Sequence, residues 1–527
     1  MPPLRELPTD IASFELMIEG NCLYVDKTQH IYQLYKGTKR YYFLSRPRRF
    51  GKTLLISTLK ELFSGNKKLF KDLWIGLEGD WKWQEHPVIH LDLSLIAHET
   101  DVELRTSLVR RLEKIGQSYG IDLSQDQTLA DKMSELIEQL AKKNKVVLLV
   151  DEYDKPLLDH ITNIEMASKN RAVLQSLFAV IKGLDSCFRA IFITGVTKFS
   201  RVSIFSGLNN LNDISEKPEA ATLLGYTQTE LETNFDQYIT MVASQYKTDN
   251  KTVLKNMKHW YNGYRFSVLE EFVYNPFSTL YYLNDRELRN YWFTSGTPSF
   301  LVALLKKRYQ NIENVIGKTL SIDDLGPFDI NNIPIIPILY QAGYLTIRNV
   351  FRDADERLML TIDYPNAEVK ESLSKYLFIE YAHTDSSTVN ASINSIKAAL
   401  SNNDIESFCL ILRTLFANIP YNLHIPQESY YHSLFQLMGN LLGLDVQSEA
   451  PTSKGKLDLA LITAQRIFVF EFKFNKTSEE ALEQVHEKRY YEKYLTAGRP
   501  ITLAGISFNY EGKQLVLDWK SEVLGKE

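Results

Sequence analysis

Short apolar runs alternate with longer amphipathic stretches over roughly the first 210 residues. YYFLS (41–45), PVIHLDLS (87–94), KVVLLVD (145–151) and RAIFITG (189–195) read as strands, while 53–63, 104–115 and 129–141 carry apolar residues at helical spacing. Strands that alternate with helices predict a mainly parallel sheet covered on both faces. From about 225 to 415 the pattern is mostly helical and poor in motifs, with tyrosine-rich patches such as HWYNGYRF (259–266) and VYNPFSTLYYL (273–283). A third pattern begins near 424: helix 428–442, strands 444–449, 457–463 and 466–474, helix 478–495 and strand 500–507. The expected class is α/β, in three domains: a parallel-sheet domain (1–220), a helical lid or connector (221–415) and a smaller α/β domain (416–527).

The first chemistry-bearing segment is Ser45-Arg46-Pro47-Arg48-Arg49-Phe50-Gly51-Lys52-Thr53, between an apolar strand and a helix. That context suits a phosphate-binding loop, because N–H groups at a helix N-terminus bind phosphate oxygens. In the pattern GxxxxGK[ST], the lysine reaches the β- and γ-phosphates and the hydroxyl ligates Mg²⁺. Gly51, Lys52 and Thr53 fit, and Arg46 stands where the first glycine would be. A strand, VVLLV (146–150), then runs into Asp151 and Glu152. Asp151 would hold Mg²⁺ and Glu152 would polarise the attacking water; two solvated acids at a strand end are the plainer alternative. Thr194 or Thr197, ending a third strand, could sense the γ-phosphate, and each is equally an ordinary strand-end hydroxyl. Arg48, Arg49 and Arg201 could offset charge on the transferring phosphoryl group or pair with surface acids.

The second constellation is Asp458, Glu471 and Lys473. Alternate residues of a strand share a face, so Phe468, Phe470, Phe472 and Phe474 should point one way and Val469, Glu471 and Lys473 the other. A two-residue turn at Ala464-Gln465 pairs 463 with 466 and hence 458 with 471, with Cβ atoms about 5 Å apart. Ala-Gln is a poor type I′ turn, so this register rests on spacing alone. Two carboxylates so placed destabilise an empty sheet, and a divalent cation reverses the effect. Oxygen ligands on a hairpin suit Mg²⁺ or Mn²⁺ rather than zinc. Lys473 would position the attacking water or stabilise the phosphate.

Several segments in order, YVDKT (24–28), YYFLSRPRRFGKT (41–53), LVDEYDKP (149–156), TGVTKFSRVSIFSGLNNLND (194–213) and YNGYRF (261–266), resemble the bacterial AAA-ATPase-like family. Members commonly carry a C-terminal PD-(D/E)XK nuclease domain, which the D…E-x-K arrangement resembles in turn. The resemblance implies ATP as ligand and a phosphate loop in which Arg48, Arg49, Phe50, Gly51, Lys52 and Thr53 cradle it, and a missing first glycine is shared by that family. It also implies a further acid near the metal, matched by Glu428, and a site glutamine like that of RecB-like nucleases, matched by Gln484. Glu428 reads equally well as a first-turn acid favoured by the helix dipole. Tyr490 and Tyr491, His432 and His486 read as packing or surface residues.

Composition narrows the setting. A net charge of −5 excludes a protein that coats nucleic acid through overall basicity, but not one that grips it locally. Three separated cysteines, Cys22, Cys187 and Cys409, exclude a disulfide framework or cysteine zinc site. No apolar run approaches the roughly 20 residues of a membrane span, and MPPLRELPTD lacks a signal region. The expectation is a cytoplasmic ATPase, coupled to metal-dependent cleavage of nucleic acid, DNA in the first instance. A homo-oligomer is compatible with it, since such ATPases often complete their sites with a neighbour's arginine. The rival is a nucleotide-dependent switch whose C-terminal fold binds nucleic acid or protein without cutting. An ATPase acting on proteins would need a threading loop that no segment supplies.

Overall fold

The computed structural model describes residues 4–123, 127–199, 204, 205, 208, 210–296, 315–382, 384–417, 428–452, 455–511 and 514–524. They form two compact units, one running to Glu368 and the other beginning at Val369. Among the described residues no helix is long and apolar enough to cross a membrane.

The first unit is built on a parallel sheet of β1 (Tyr41–Ser45), β2 (Val88–Asp92), β3 (Val146–Asp151), β4 (Phe188–Gly195) and the short β5 (Asn212–Asp213), in the order β2-β3-β4-β1-β5. β1 and β3 are buried along their whole length, as near-continuous apolar runs in a doubly covered sheet should be. The register brings Leu44 beside Thr194, Ser45 beside Gly195, and Asp92 beside Asp151. Helix Lys52–Phe63 follows β1 and buries Leu55, Ile56, Leu59 and Leu62 in one core with Tyr42, Leu44 and Phe192.

Helices Gln228–Gln245, Asn250–Tyr261 and Pro276–Asp285 form a second core, shared with Leu7, Leu23 and Val25 from the start of the chain. The middle of the chain is thus mainly helical, but it also contains a three-stranded antiparallel sheet of β6 (Thr319–Ser321), β7 (Thr346–Arg352) and β8 (Leu358–Asp363). A register shift between Ile347 and Asn349 breaks the two-residue alternation by which β7 could be recognised.

The second unit contains helices Ser386–Ser401, Ile405–Ala417 and Glu428–Leu441 and a mixed sheet of β9 (Asp445–Thr452), β10 (Gly455–Ile462), β11 (Ile467–Phe474), β12 (Ile501–Glu511) and β13 (Gln514–Leu524). Neighbours follow sequence order, and only β11 and β12 run parallel, joined through helix Ser478–Lys488. The phenylalanine face of β11 packs as expected: Phe470 lies against Phe408, and Phe472 against Phe435 and Phe508. Val469, on the other face, packs with Leu482 and Val485 of the helix. That helix ends earlier than position 495, because Arg489 takes a left-handed φ of 51° and a 3-10 turn, Glu492–Ala497, follows. β12 continues past 507, and β13 completes the sheet.

Gly505 on β12 faces the same helix; a Cβ there would sit 2.3 Å from the Ser478 carbonyl oxygen and 2.6 Å from the Leu482 nitrogen. Gly505→Val should therefore push the helix off the sheet and cost about 1–3 kcal/mol. Urea unfolding followed by circular dichroism would show the loss; unchanged stability would mean that the close approach is not needed.

Candidate functional site

The phosphate loop leaves β1 at Ser45 and enters the helix at Lys52, with left-handed φ at Arg49 (63°) and Gly51 (87°). Arg46 is fully buried. Its guanidinium donates to the carbonyls of Ser45 (2.8 Å), Ser215 (2.7 Å) and Ala220 (2.7 Å) and lies 4.1 Å from the centre of the Phe266 ring. Lys52, 5 % exposed, turns back onto the loop and donates to the carbonyls of Arg46 (3.0 Å) and Pro47 (2.9 Å). Burial lowers its pKa, opposed by Glu152 and Asp151. Phe50 packs edge-on against Tyr264 and Phe266, both from the YNGYRF segment, and Arg49 lies 4.9 Å from the Phe277 ring centre.

Asp151 ends β3 almost wholly buried, and burial pushes its carboxyl up to about 6, opposed by a hydrogen bond from Thr53 and by Lys52. Glu152 follows at a left-handed φ of 50°. The structure therefore gathers Lys52, Thr53, Asp151 and Glu152. It does not bring the strand-end hydroxyls into the cleft: Thr194 donates to the Leu44 carbonyl at 2.8 Å and Thr197 to Asp154 at 2.6 Å. Arg201 lies outside the described residues.

A cleft of about 790 Å³ opens over this loop, lined by Arg48 to Leu55 and Glu152. Its far wall comes from segments to which the motif reading assigned no role: Pro8 to Ala12, Leu23 to Val25, Leu223 to Tyr226, and Phe277, Leu280 and Tyr281. Tyr281 donates its hydroxyl to Asp10 at 2.8 Å, tying the helical region to the start of the chain. Only the tyrosine-rich patch and YVDKT hinted at this wall.

Beneath the loop, Trp292 donates its indole N–H to the Arg48 carbonyl (3.0 Å) and its backbone N–H to Glu368 (2.7 Å). Glu368 also accepts the Ser278 hydroxyl at 2.8 Å. Burial pushes the Glu368 carboxyl up to about 8, and the hydrogen bonds only partly oppose it.

In the second unit, the β10–β11 ladder pairs Ile462 with Ile467 and Leu459 with Phe470, and Thr463 N–H bonds the Arg466 carbonyl at 2.9 Å. This is the register inferred from spacing as far as Leu459 and Phe470, the residues next to Asp458 and Glu471. Glu471 is 1 % exposed, and its Oε1 accepts from Lys473 Nζ at 3.0 Å and from the Gln484 amide. Asp458 Oδ2 accepts the Phe472 N–H at 2.8 Å. Tyr490 joins this group: its hydroxyl lies 3.4 Å from Gln484 Nε2, and burial, with the charges of Glu471 and Asp458, raises its pKa against the opposing Gln484 bond. Glu428 opens its helix, and its side chain lies outside the described residues. Among the described residues no three His, Cys, Asp or Glu side chains gather as a metal cluster. The pair Asp458 and Glu471 still fits Mg²⁺, which keeps several waters and binds through one or two carboxylates.

A phosphate loop on a parallel sheet and a D…E-x-K hairpin on a mixed one define a P-loop nucleotide-binding unit followed by a nuclease-type unit. Residues 8–205 match the family described as predicted AAA-ATPase, and residues 426–519 match the PD-(D/E)XK nuclease superfamily. The chain belongs to the AAA-ATPase-like family that carries a C-terminal PD-(D/E)XK nuclease domain. It is 37 % identical over 527 residues to the "Uncharacterized protein in vnfD 5'region" of Azotobacter chroococcum mcd 1, covering 97 % of this chain and 98 % of that one.

The Glu368 carboxyl sets a pH dependence. Its folded pKa (about 8) exceeds its ordinary value of 4.5, so the folded state holds the proton more tightly. Stability from this group is complete below about 4.5 and lost as pH rises towards 8, at about 1.4 kcal/mol per pH unit. Glu368→Gln, which keeps an acceptor for Trp292 and Ser278, should match the wild type near pH 4.5 and exceed it at pH 8 in urea unfolding. Parallel pH profiles would show that the proton on Glu368 is not involved.

Proposed function

We propose that the first unit binds and hydrolyses ATP and that the second cleaves nucleic acid, DNA in the first instance, with nucleotide state governing cleavage. Two observations carry this reading: the convergence of Asp458, Glu471, Lys473 and Gln484 within the second unit, and the assembled phosphate loop within the first. Lys52 leaves the loop carbonyls to bind the β- and γ-phosphates, and the N–H groups opening helix Lys52–Phe63 complete the cradle. Arg48 and Arg49 border the same cleft, placed to offset phosphate charge. The apolar wall of Ile11, Ala12, Leu23, Val25, Leu224 and Leu280 takes the base. Glu152 accepts a proton from the water whose oxygen bonds the γ-phosphorus, as the bond to the bridging oxygen breaks and ADP and phosphate form.

Thr53 and Asp151 would hold the Mg²⁺ of ATP, and Asp458 and Glu471 a Mg²⁺ or Mn²⁺ that supplies Lewis-acid polarisation of the phosphodiester and of its attacking water. Lys473 orients that water and offsets charge on the phosphate oxygens. Gln484 holds Glu471, and Tyr490 packs behind Gln484. A buried carboxylate beside a lysine and an amide is costly to keep for binding alone, which favours cleavage over a silent binding module.

The test is cleavage of labelled single- and double-stranded DNA and RNA with Mg²⁺ or Mn²⁺, with and without ATP. Lys473→Ala should lower cleavage by at least about 100-fold while leaving ATP binding intact. Lys52→Ala should abolish ATP binding and remove the nucleotide dependence of cutting. Metal-dependent cleavage absent from every substrate, with ATP binding retained, would replace the nuclease reading by a nucleotide-controlled binding module.

A further inference from the structure

The turn after β3 reads Asp151-Glu152-Tyr153-Asp154, and its fourth residue has no part in the phosphate loop. Asp154 is 1 % exposed, yet it neither meets the cleft nor caps the short helix that it precedes. Its carboxylate instead crosses to the end of β4. Oδ2 accepts the Val196 N–H at 3.0 Å, the Thr197 N–H at 2.6 Å and the Thr197 hydroxyl at 2.6 Å. Tyr153 reinforces the link: its N–H bonds the Thr194 carbonyl at 3.1 Å and its hydroxyl the Thr197 carbonyl at 3.0 Å. Gly195 makes the approach feasible, since a Cβ there would lie 2.5 Å from Asp154 Oδ1 and 2.7 Å from the Tyr153 ring.

The residue held by this clamp is Glu152. It lines the cleft with a left-handed backbone, φ 50°, which a residue with a Cβ adopts only when its surroundings impose it. Upstream, the Glu152 N–H bonds Asp151 Oδ1 at 3.0 Å, and downstream the next two residues are fastened to β4. The far side of β4 is in turn tied to the phosphate loop: Gly195 carbonyl accepts the Arg46 N–H at 3.1 Å.

We infer that Asp154 is a positioning residue for ATP hydrolysis: by clamping the end of β4 it fixes the strained turn that aims Glu152 at the γ-phosphate. This rests on the reading of Glu152 as the group that takes the water proton. Releasing the clamp lets residue 152 relax towards the ordinary right-handed or extended regions and withdraws its carboxylate from the cleft. Nucleotide binding, which uses Lys52, Thr53 and the loop amides, stays intact. A merely structural residue would instead weaken binding and turnover together.

The experiment measures steady-state ATP turnover and binding of a fluorescent ATP analogue for the full chain and for Asp154→Asn, Thr197→Val, Thr197→Ser and Glu152→Gln. Asp154→Asn is expected to lower kcat by about 10- to 100-fold, with KM and Kd changed by less than about threefold. Thr197→Val, which removes one of the three donors, should fall between it and the wild type, and Thr197→Ser should restore turnover. Wild-type turnover in Asp154→Asn overturns the inference. So does a parallel loss of binding and turnover in both Asp154→Asn and the milder Thr197→Val. Turnover that Glu152→Gln leaves untouched overturns the underlying reading of Glu152, and the inference falls with it for that separate reason.

Discussion

Between the strand that launches the phosphate loop and the strand that ends in Asp151 lies one other strand, β4, and neither outer strand touches the other. Lys52 and Thr53 on one side and Asp151 and Glu152 on the other are registered through its backbone, and the Thr53 hydrogen bond to Asp151 closes the same gap. Leu44 and Ser45 pair with Thr194 and Gly195, and β3 pairs with the same strand from the opposite edge. A one-residue slip in either ladder would move the loop against the acids by about 3.3 Å, enough to dismantle the site. This explains why the polar groups at the end of β4 are spent on its neighbours. Thr194 serves the Leu44 carbonyl and Thr197 serves Asp154; the sequence allowed each equally as a γ-phosphate sensor or as an ordinary strand-end hydroxyl.

The second unit solves a different problem. Asp458 and Glu471 lie on adjacent strands of one sheet, and Glu471 is buried, so neighbouring protein groups must offset its charge. Lys473 and Gln484 both turn to Glu471, while Asp458 takes a backbone N–H. Under the proposed nuclease reading these groups rearrange on substrate binding, because an ammonium already bonded to a carboxylate cannot also bind a phosphate in full strength. Gly505, directly opposite Glu471 in the β11–β12 ladder, lets the helix that carries Gln484 come close enough for this arrangement.

How much of this was legible depended on whether the signal was periodic. The two-residue period placed Glu471 and Lys473 on the face away from the phenylalanines, and a two-residue turn fixed the register across to Asp458, although Ala464-Gln465 is no standard turn pair. The strand-loop-helix around Lys52 was equally plain. The walls of the ATP cleft were not, because Pro8 to Ala12 and Phe277 to Tyr281 are far apart in sequence and meet only through the helical core around Leu7, Leu23 and Val25. Composition changes near 220 and 415 suggested domain limits, and the chain passes from the first compact unit to the second between Glu368 and Val369. Packing follows the partners of each buried face, and a single sequence does not reveal them. Asp154 stayed hidden for a similar reason: its donors, Val196 and Thr197, sit more than 40 residues away, just past the end of β4.

Arg46 bears on whether a loop lacking its first glycine can still work. Glycine is used there for a tight turn and for close backbone approach to phosphate. Here the left-handed conformations fall on Arg49 and Gly51 instead, so position 46 needs no special backbone. Its guanidinium gathers three carbonyls from β1 and the segment after β5, and burial lowers its pKa to about 10 without neutralising it. The loop's entry is thus held by a buried charge with three acceptors, where a glycine would leave it held by backbone alone. Removing one member of such a set strands buried polar groups, which costs more than the hydrogen bond lost. Arg46 is therefore a different way of fixing the same loop, and it leaves Lys52 and Thr53 on the cleft side of that loop.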